Sequence, residues 1–344
     1  MLDDSKIAMH LRSRPMQPAD VSECVDIVAA DPVIGPRYGA AVEELGNTWR
    51  QLLGSAATTT AVFEQPQQKR KKIVAFGISV FVSDEFIHQI KTPPLRWCGP
   101  ELAKRIMGPD SPILSDTQVR DANSGEGLNA LVWESMATPE IGHRPEVYHL
   151  LLSSFIEAHR GFFLKELITL QSGSTDQMQF AVDSGGLFWC PVRQRYDTTP
   201  PTAAECFVAR PHIVGITREH AFVRPGSWLS TLFDYRPPGF GLSRGEQQLL
   251  LTALASSGGT DQDVAAVLRL SVPTVKKMWG SVYRRVSACD PELVPDSAQA
   301  ESGTHDRGRE KKRSLLAYVR DHPEELRLHS PKLLIESLQQ VTSE

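Results

Sequence analysis

The sequence predicts an α+β protein, a mixed sheet with flanking helices followed by an all-α C-terminal domain. Three observations carry this. The β-rich runs "TTTAVFEQ" (58–65) and "KIVAFGISVFV" (72–82) belong to a pattern of strands and amphipathic stretches that lasts to about residue 200. From "RPPGFGLSRGEQQLLLTALASSGG" onwards strands vanish and short helices follow one another. At 344 residues the chain is too long for one ordinary domain, which suggests two domains with a tail.

The elements follow in order. "RPMQPADVSECVDIVAADP" (14–32) reads as a strand end, a turn and a helix. Ala19 or Asp20 lies near its cap, and Val21, Cys24, Val25 and Val28 form its apolar stripe. "PQQKRKK" joins the two β-rich runs as an exposed hairpin loop, with Lys69–Lys72 at its solvated tip. "LNALVWESM" (128–136) is the next strand. "PEVYHLLLSSFIEAHRGF" (145–162) is a helix with Pro145 in its first turn and Gly161 as its stop. "FLKELITLQ" (163–171) is a strand, "STDQMQFAVDSGG" (174–186) a short helix opened by Ser174 or Thr175, and "LFWCPV" (187–192) a strand. "DTTPPTAAE" (197–205) is a loop, and "PHIVGITREHAFV" adds to the sheet.

These patterns divide the chain into a sheet domain over 1–200, a linker or sheet extension over 201–240 and a helical domain over 241–290. A polar linker over 291–308 and a helical tail over 309–344 complete it. In the tail, "REKKRSLLAYVRDHPEELRLH" is an amphipathic helix interrupted at Pro323. Its Leu315, Leu316, Val319 and Leu326 fit either a contact between two subunits or packing on the chain itself.

Composition narrows the function. An apolar fraction of 41% with 7% aromatics supports folded cores, and a net charge of −4 confines nucleic-acid binding to a local patch. The five cysteines are scattered without CxxC spacing, so each is expected to be a small buried hydrophobe. With no signal peptide and no apolar run of roughly 18 residues, the expected setting is soluble and cytoplasmic, with no membrane partner.

The helical domain holds the sharpest motif. Ser243 with Glu246, and Thr260 with Asp263, form capping boxes that open the first two helices. Leu249, Leu250, Ala253 and Leu254 face inward from the first helix, and Val264, Ala265 and Leu268 from the second. After a tight turn, Ser271 caps a third helix with Pro273 in its first turn, which makes a helix-turn-helix arrangement. In "SVPTVKKMWGSVYRRVS" (271–287), Val275, Met278 or Trp279, Val282 and Val286 form the buried stripe. Lys276, Lys277, Ser281, Arg284 and Arg285 lie outside it. Gly280 in mid-helix costs roughly 1 kcal/mol against alanine and is easier to understand if a partner approaches the backbone there. Between Asp263 and Asp290 there is no acidic residue, while Arg269, Lys276, Lys277, Arg284 and Arg285 are all basic. A solvated face of an acidic protein normally mixes signs, so this bias marks a phosphate-facing surface.

The segment "LSRGEQQLLLTALASSGGTDQDVAAVLRLSVPTVKKMWGSVYRRV" resembles the LuxR-type helix-turn-helix of bacterial transcription regulators. The matching positions include Leu242, Glu246, Leu250, Leu268, Ser271 and the run Thr274, Val275, Lys276. The resemblance implies that Thr274, Lys276 and Lys277 open the recognition helix and touch phosphates and base edges of double-stranded DNA. With Ser281, Arg284 and Arg285 they make up the expected DNA-binding set. Two departures stand out. "ASSGG" lengthens the first turn, and "SACDPELVPDS" replaces the family's fourth helix, which commonly pairs two subunits.

The order strand, helix, three strands, helix, strand, helix, strand over residues 10–195 resembles the GNAT acetyltransferase fold. That resemblance implies CoA or acetyl-CoA as a ligand, its pyrophosphate cradled at a helix N-terminus. The matching slot is "TPEIGHRPEVYHLL", with Gly142, His143 and Arg144 as the cofactor-binding candidates. The second glycine is missing, Pro145 has no N–H, and Glu146 adds a negative charge. The later helix offers Phe180, Ala181 and Val182 where a tyrosine usually acts as general acid. No catalytic residue is therefore assigned. His143, His149 and His159 read as surface or capping histidines, with no metal site.

The expected function is a DNA-binding transcriptional regulator whose acetyltransferase-like domain senses a small-molecule effector or forms a homodimer. Two other readings fit the same residues. One is an active acetyl-CoA-dependent N-acetyltransferase carrying a DNA-targeting domain. The other is an interaction protein whose helix-turn-helix contacts protein.

Overall fold

The computed structural model describes residues 11–66, 71–106, 110–142, 144–170, 175–199, 211–255, 260–294 and 304–329. The chain forms two compact units. The first comprises Met1–Ala122, Glu126–His159 and Leu164–Phe233. The second comprises Asn123–Gly125, Arg160–Phe163 and Asp234–Glu344.

The first unit is built on an eight-stranded sheet. Its strands are β1 (Arg12–Arg14), β2 (Thr58–Pro66), β3 (Lys71–Val82), β4 (Leu128–Ala137), β5 (Leu164–Leu170), β6 (Leu187–Cys190), β7 (Arg195–Asp197) and β8 (Val214–Thr217). They lie in the order β1-β2-β3-β4-β5-β8-β6-β7. Every pairing is antiparallel except β4 with β5. A parallel neighbour needs a crossover, and helix α7 (Pro145–His159) supplies it. The helices before it are α1 (Val21–Ala30), α2 (Gly35–Tyr38), α3 (Ala41–Leu52), α4 (Asp84–Lys91), α5 (Cys98–Ile106) and α6 (Asp116–Ser124). Those after it are α8 (Thr175–Asp183) and α9 (Arg218–Val223).

The five expected strands over 58–192 are present, and "PHIVGITREHAFV" does join the sheet before turning into α9. β8 enters between β5 and β6, so neighbours in space are distant in sequence. β7 ends at Asp197, where the expected loop begins, and residues 200–205 of that loop lie outside the described residues. Lys69 and Arg70 of the hairpin tip also lie outside them. Helices α2 to α6 occupy stretches to which the patterns above assign no element. Two of them carry signals all the same. Leu45 and Trp49 of α3 are buried one turn apart. Ser83 caps α4 by accepting from the Phe86 amide at 3.3 Å, ahead of the buried Phe86, Ile87 and Ile90.

From Ala75 onward, past a bulge at Val74, strand alternation sends even-numbered β3 residues to one face of the sheet and odd-numbered ones to the other. On the first face Phe76, Ile78 and Val80 pack with Val21, Cys24 and Val28 of α1 and Leu45 and Trp49 of α3. Each such side chain, fully buried, contributes roughly 1.5–3 kcal/mol. The other face meets α7. Arg14 ties the sheet edge to α1, donating to both carboxylate oxygens of Asp20 at 2.6 and 2.8 Å and to Glu64 at 2.8 Å. Glu23 accepts from the Ile73 amide at 3.0 Å, so these acids serve as anchors.

The second unit contains α10 (Arg244–Ala255), α11 (Asp261–Leu268), α12 (Val272–Cys289) and α13 (Thr304–Asp321), then a short 3₁₀ turn, Pro323–Leu326. Both capping boxes form. The Glu246 amide meets the Ser243 hydroxyl while the Ser243 amide meets the Glu246 carboxylate, and Thr260 and Asp263 do the same. Leu249, Leu250, Ala253, Val264, Val275, Val282 and Val286 make the core. Leu254 and Leu268, expected inside, are half-buried at its rim.

α13 takes in the last five residues, 304–308, of the expected polar linker. Its Leu315, Leu316 and Val319, with Leu326 beyond, complete this same core, so the tail packs on its own chain. Glu325 is buried and accepts from the amides of Gly239 at 2.7 Å and Phe240 at 3.0 Å, fastening the chain that enters α10. Gly161 takes φ +80°, and a Cβ there would lie 2.4 Å from the Glu324 amide nitrogen, so only glycine fits. Cys24 and Cys98 are buried as expected, whereas Cys190 is half-buried and Cys289 exposed. Cys206 lies outside the described residues.

Candidate functional site

The α12 surface is set by its entry. α11 ends on Arg269 in the left-handed region (φ 55°, ψ 41°), and three residues later α12 begins. The Ser271 hydroxyl accepts from the Thr274 amide at 3.3 Å, and Pro273 occupies the first turn. Val275, Trp279, Val282 and Val286 are then turned inward, while Thr274, Lys276, Lys277, Gly280 and Arg284 face solvent. Lys277, Gly280 and Arg284 follow at spacings of three and four and therefore share one line along the helix. A Cβ at Gly280 would meet nothing within 4 Å beyond the backbone of its own helix and its chain neighbours.

The remaining two candidates behave differently. Arg285 places Nε 3.2 Å from Glu246 of α10 and donates to the Gly241 carbonyl at 3.3 Å. Ser281 also hydrogen-bonds Glu246. Burial pushes the Glu246 carboxyl up, but the Ser243 amide, the Ser281 hydroxyl and the Arg285 guanidinium outweigh it, holding the pKa below the ordinary carboxylate range. Thus an acid does border the basic helix, contributed by α10, although residues 264–289 contain none.

In the first unit, Gly142 and Arg144 sit in the turn before α7. The Gly142 amide donates to the Thr138 carbonyl at 2.9 Å, and the Arg144 amide to the Ile141 carbonyl at 3.0 Å. With Pro145 next in sequence, the Gly142 and Arg144 amides are already used inside the turn and do not point at a pyrophosphate. His143 lies outside the described residues.

His159, expected as a surface or capping histidine, is 1% exposed. The last turn of α7 directs its ring onto the sheet, where Nε2 lies 2.9 Å from the Thr59 hydroxyl and 2.8 Å from the Ser79 hydroxyl. Nδ1 meets the Phe155 carbonyl at 2.8 Å. A carbonyl can only accept, so Nδ1 carries a proton. The three groups border a cavity of about 190 Å³ between α7, α8 and strands β2 to β4. The spacing of Leu152, Phe155 and His159 on one helix face was a signal for this inward direction.

A second buried group lies on the opposite sheet face. β4 pairs Glu134 with Ile78 but Val132 with Ser79, which leaves Trp133 as an extra bulged residue. The Tyr38 hydroxyl donates to Glu134 at 2.5 Å and accepts from the Trp133 indole at 3.1 Å. Burial raises the Glu134 pKa to about 7, against the lowering effect of Tyr38 and Arg37. A Cβ at Gly99 would lie 2.3 Å from the Tyr38 hydroxyl, so the glycine makes room for this pair. No sequence motif marks it.

Among the described residues no group of His, Cys, Asp and Glu could hold a metal ion, and no helix is long and apolar enough to cross a membrane. In comparisons with known proteins, no family model matches the chain and no curated protein matches it.

Proposed function

We propose that the chain is a DNA-binding transcriptional regulator of the LuxR-type helix-turn-helix class. α12 would be its recognition helix, and its first unit a GNAT-like effector-sensing domain. The observation that carries the DNA reading is the solvent-facing line Lys277–Gly280–Arg284, flanked by Thr274 and Lys276. Cations along an α-helix with a side-chain-free gap between them suit a phosphate backbone that approaches closely. The three-residue connection between α11 and α12 supports the same reading. The GNAT-like reading of the first unit is supported by a single parallel pair, β4 and β5, bridged by α7 in an otherwise antiparallel sheet. A homodimer joined through the tail is not supported, because Leu315, Leu316 and Val319 are used inside the unit.

The test is salt-dependent binding of the full chain to duplex DNA. Replacing Lys276, Lys277 and Arg284 together by alanine should weaken binding and flatten log affinity against log salt by about 0.9 per lost phosphate contact. An unchanged slope in the folded triple variant removes the proposal.

One observation favours the enzyme reading. Burial pushes the Glu134 carboxyl up to about 7, the range suited to a general base. Steady thiol release from acetyl-CoA with mixed amines, abolished by Glu134→Gln, would establish an acetyltransferase in place of a sensor.

A further inference from the structure

We propose that the cavity beneath α7 binds a small, largely apolar molecule carrying one hydrogen-bond donor, with the size and chemistry of a phenol or an indole. This inference makes the effector of the sensing reading specific and rests on it.

Size comes first. The cavity measures about 190 Å³. Cavities of about 150 Å³ hold a benzene-sized guest, so one ring with a substituent or a compact fused pair fits. Ser135, the exposed member of the lining, marks the mouth.

The shape is produced by residues that are missing bulk. Gly77 lies in the middle of β3, where glycine weakens a strand, and its α-carbon faces the cavity beside Ala61 of β2. A Cβ built there meets nothing within 4 Å. Valine or leucine would fill this space and strengthen the strand, so packing alone does not account for glycine here. Phe155 and Phe180 supply aromatic walls.

The polar end selects the guest. With the His159 ring neutral, its Nδ1 proton goes to the Phe155 carbonyl and Nε2 can only accept. The Thr59 and Ser79 hydroxyls lie 2.6 Å apart, and each lies within 2.9 Å of Nε2. Whichever hydroxyl donates to Nε2, the other donates to that hydroxyl. Both protons are then held inside the cluster, and oxygen lone pairs remain for a guest. The site therefore offers acceptors and calls for a donor. A carboxylate would meet these lone pairs unfavourably, and a guest without a donor would leave them unpaired.

The experiment uses the full chain at pH 8, with calorimetry and thermal melts against phenol, indole, toluene and benzoate. Phenol or indole should bind with Kd at or below about 1 mM, and toluene and benzoate roughly five- to tenfold more weakly. Gly77→Val should melt at or above the parent temperature and lose phenol and indole binding. Ala61→Val, which fills the same space from β2, is the second filling variant. Thr59→Val should erase the preference for phenol over toluene. Toluene binding as well as phenol, undiminished binding in both folded filling variants, or no binding of phenol and indole would each overturn the proposal. DNA binding is read in a separate titration, so failure here leaves the α12 reading to its own test.

Discussion

The Arg285 guanidinium of α12 lies 3.2 Å from the Glu246 carboxylate of α10, and this pair joins the two helices across the core they share. Glu246 is 5% exposed, so removing its cation leaves a buried carboxylate held only by its hydroxyl and amide donors. Arg285→Ala should lower the stability of the second unit by about 1–2 kcal/mol, read as a shifted denaturant midpoint. Lys277→Ala and Arg284→Ala, both on exposed positions, should leave that midpoint within about 0.5 kcal/mol. Equal loss in all three would mean that Arg285 is not an anchor.

Gly280→Ala separates helix stability from binding. The added methyl meets nothing within 4 Å beyond its own helix backbone and chain neighbours, so the free protein should gain up to about 1 kcal/mol from helix propensity. Affinity for duplex DNA should fall in the same variant if a phosphate backbone packs against the glycine. A gain in stability with unchanged affinity would place the DNA elsewhere.

Glu134 makes the first unit sensitive to pH near neutrality. The folded carboxyl holds its proton up to about pH 7, whereas its ordinary value is 4.5. Between those values the native state binds more protons than the unfolded one, so stability falls as pH rises. The full contribution is present below 4.5 and is lost by about pH 8, a change of up to about 3 kcal/mol. Glu134→Gln keeps an acceptor for the Tyr38 hydroxyl and removes the charge. Its melting temperature should therefore vary less between pH 5 and 8 than that of the parent.

The C-terminal tail should prove indispensable to the second unit. A chain ending at residue 303 lacks Leu315, Leu316, Val319 and Leu326 from the core. Protease digestion of that chain should degrade the helices around α12 at enzyme levels the parent resists. Glu325→Ala is a milder probe. It leaves the Gly239 and Phe240 amides without their acceptor, at about 1–3 kcal/mol for each buried donor.

Features decided within a few residues were legible in the sequence. The Ser243–Glu246 and Thr260–Asp263 boxes, the Ser271 cap, and the period of Val275, Trp279, Val282 and Val286 depend on hydrogen bonds and spacings inside one helix. The hairpin of β2 and β3 is likewise a local pairing between two alternating runs. Ser83 ahead of α4 is a local signal of the same kind, a cap followed by the buried Phe86, Ile87 and Ile90.

What only the tertiary structure decided depends on partners far along the chain. Insertion of β8 between β5 and β6, the choice of α13 to pack inward, and the turning of Arg285 toward Glu246 are settled by which surfaces meet. The clearest case is His159, which reads as a helix end because its partners, Thr59 and Ser79, are 100 and 80 residues away. Burial, and hence what a histidine or a glutamate can do, comes from packing across the sheet, and no window along the sequence contains both sides of that contact.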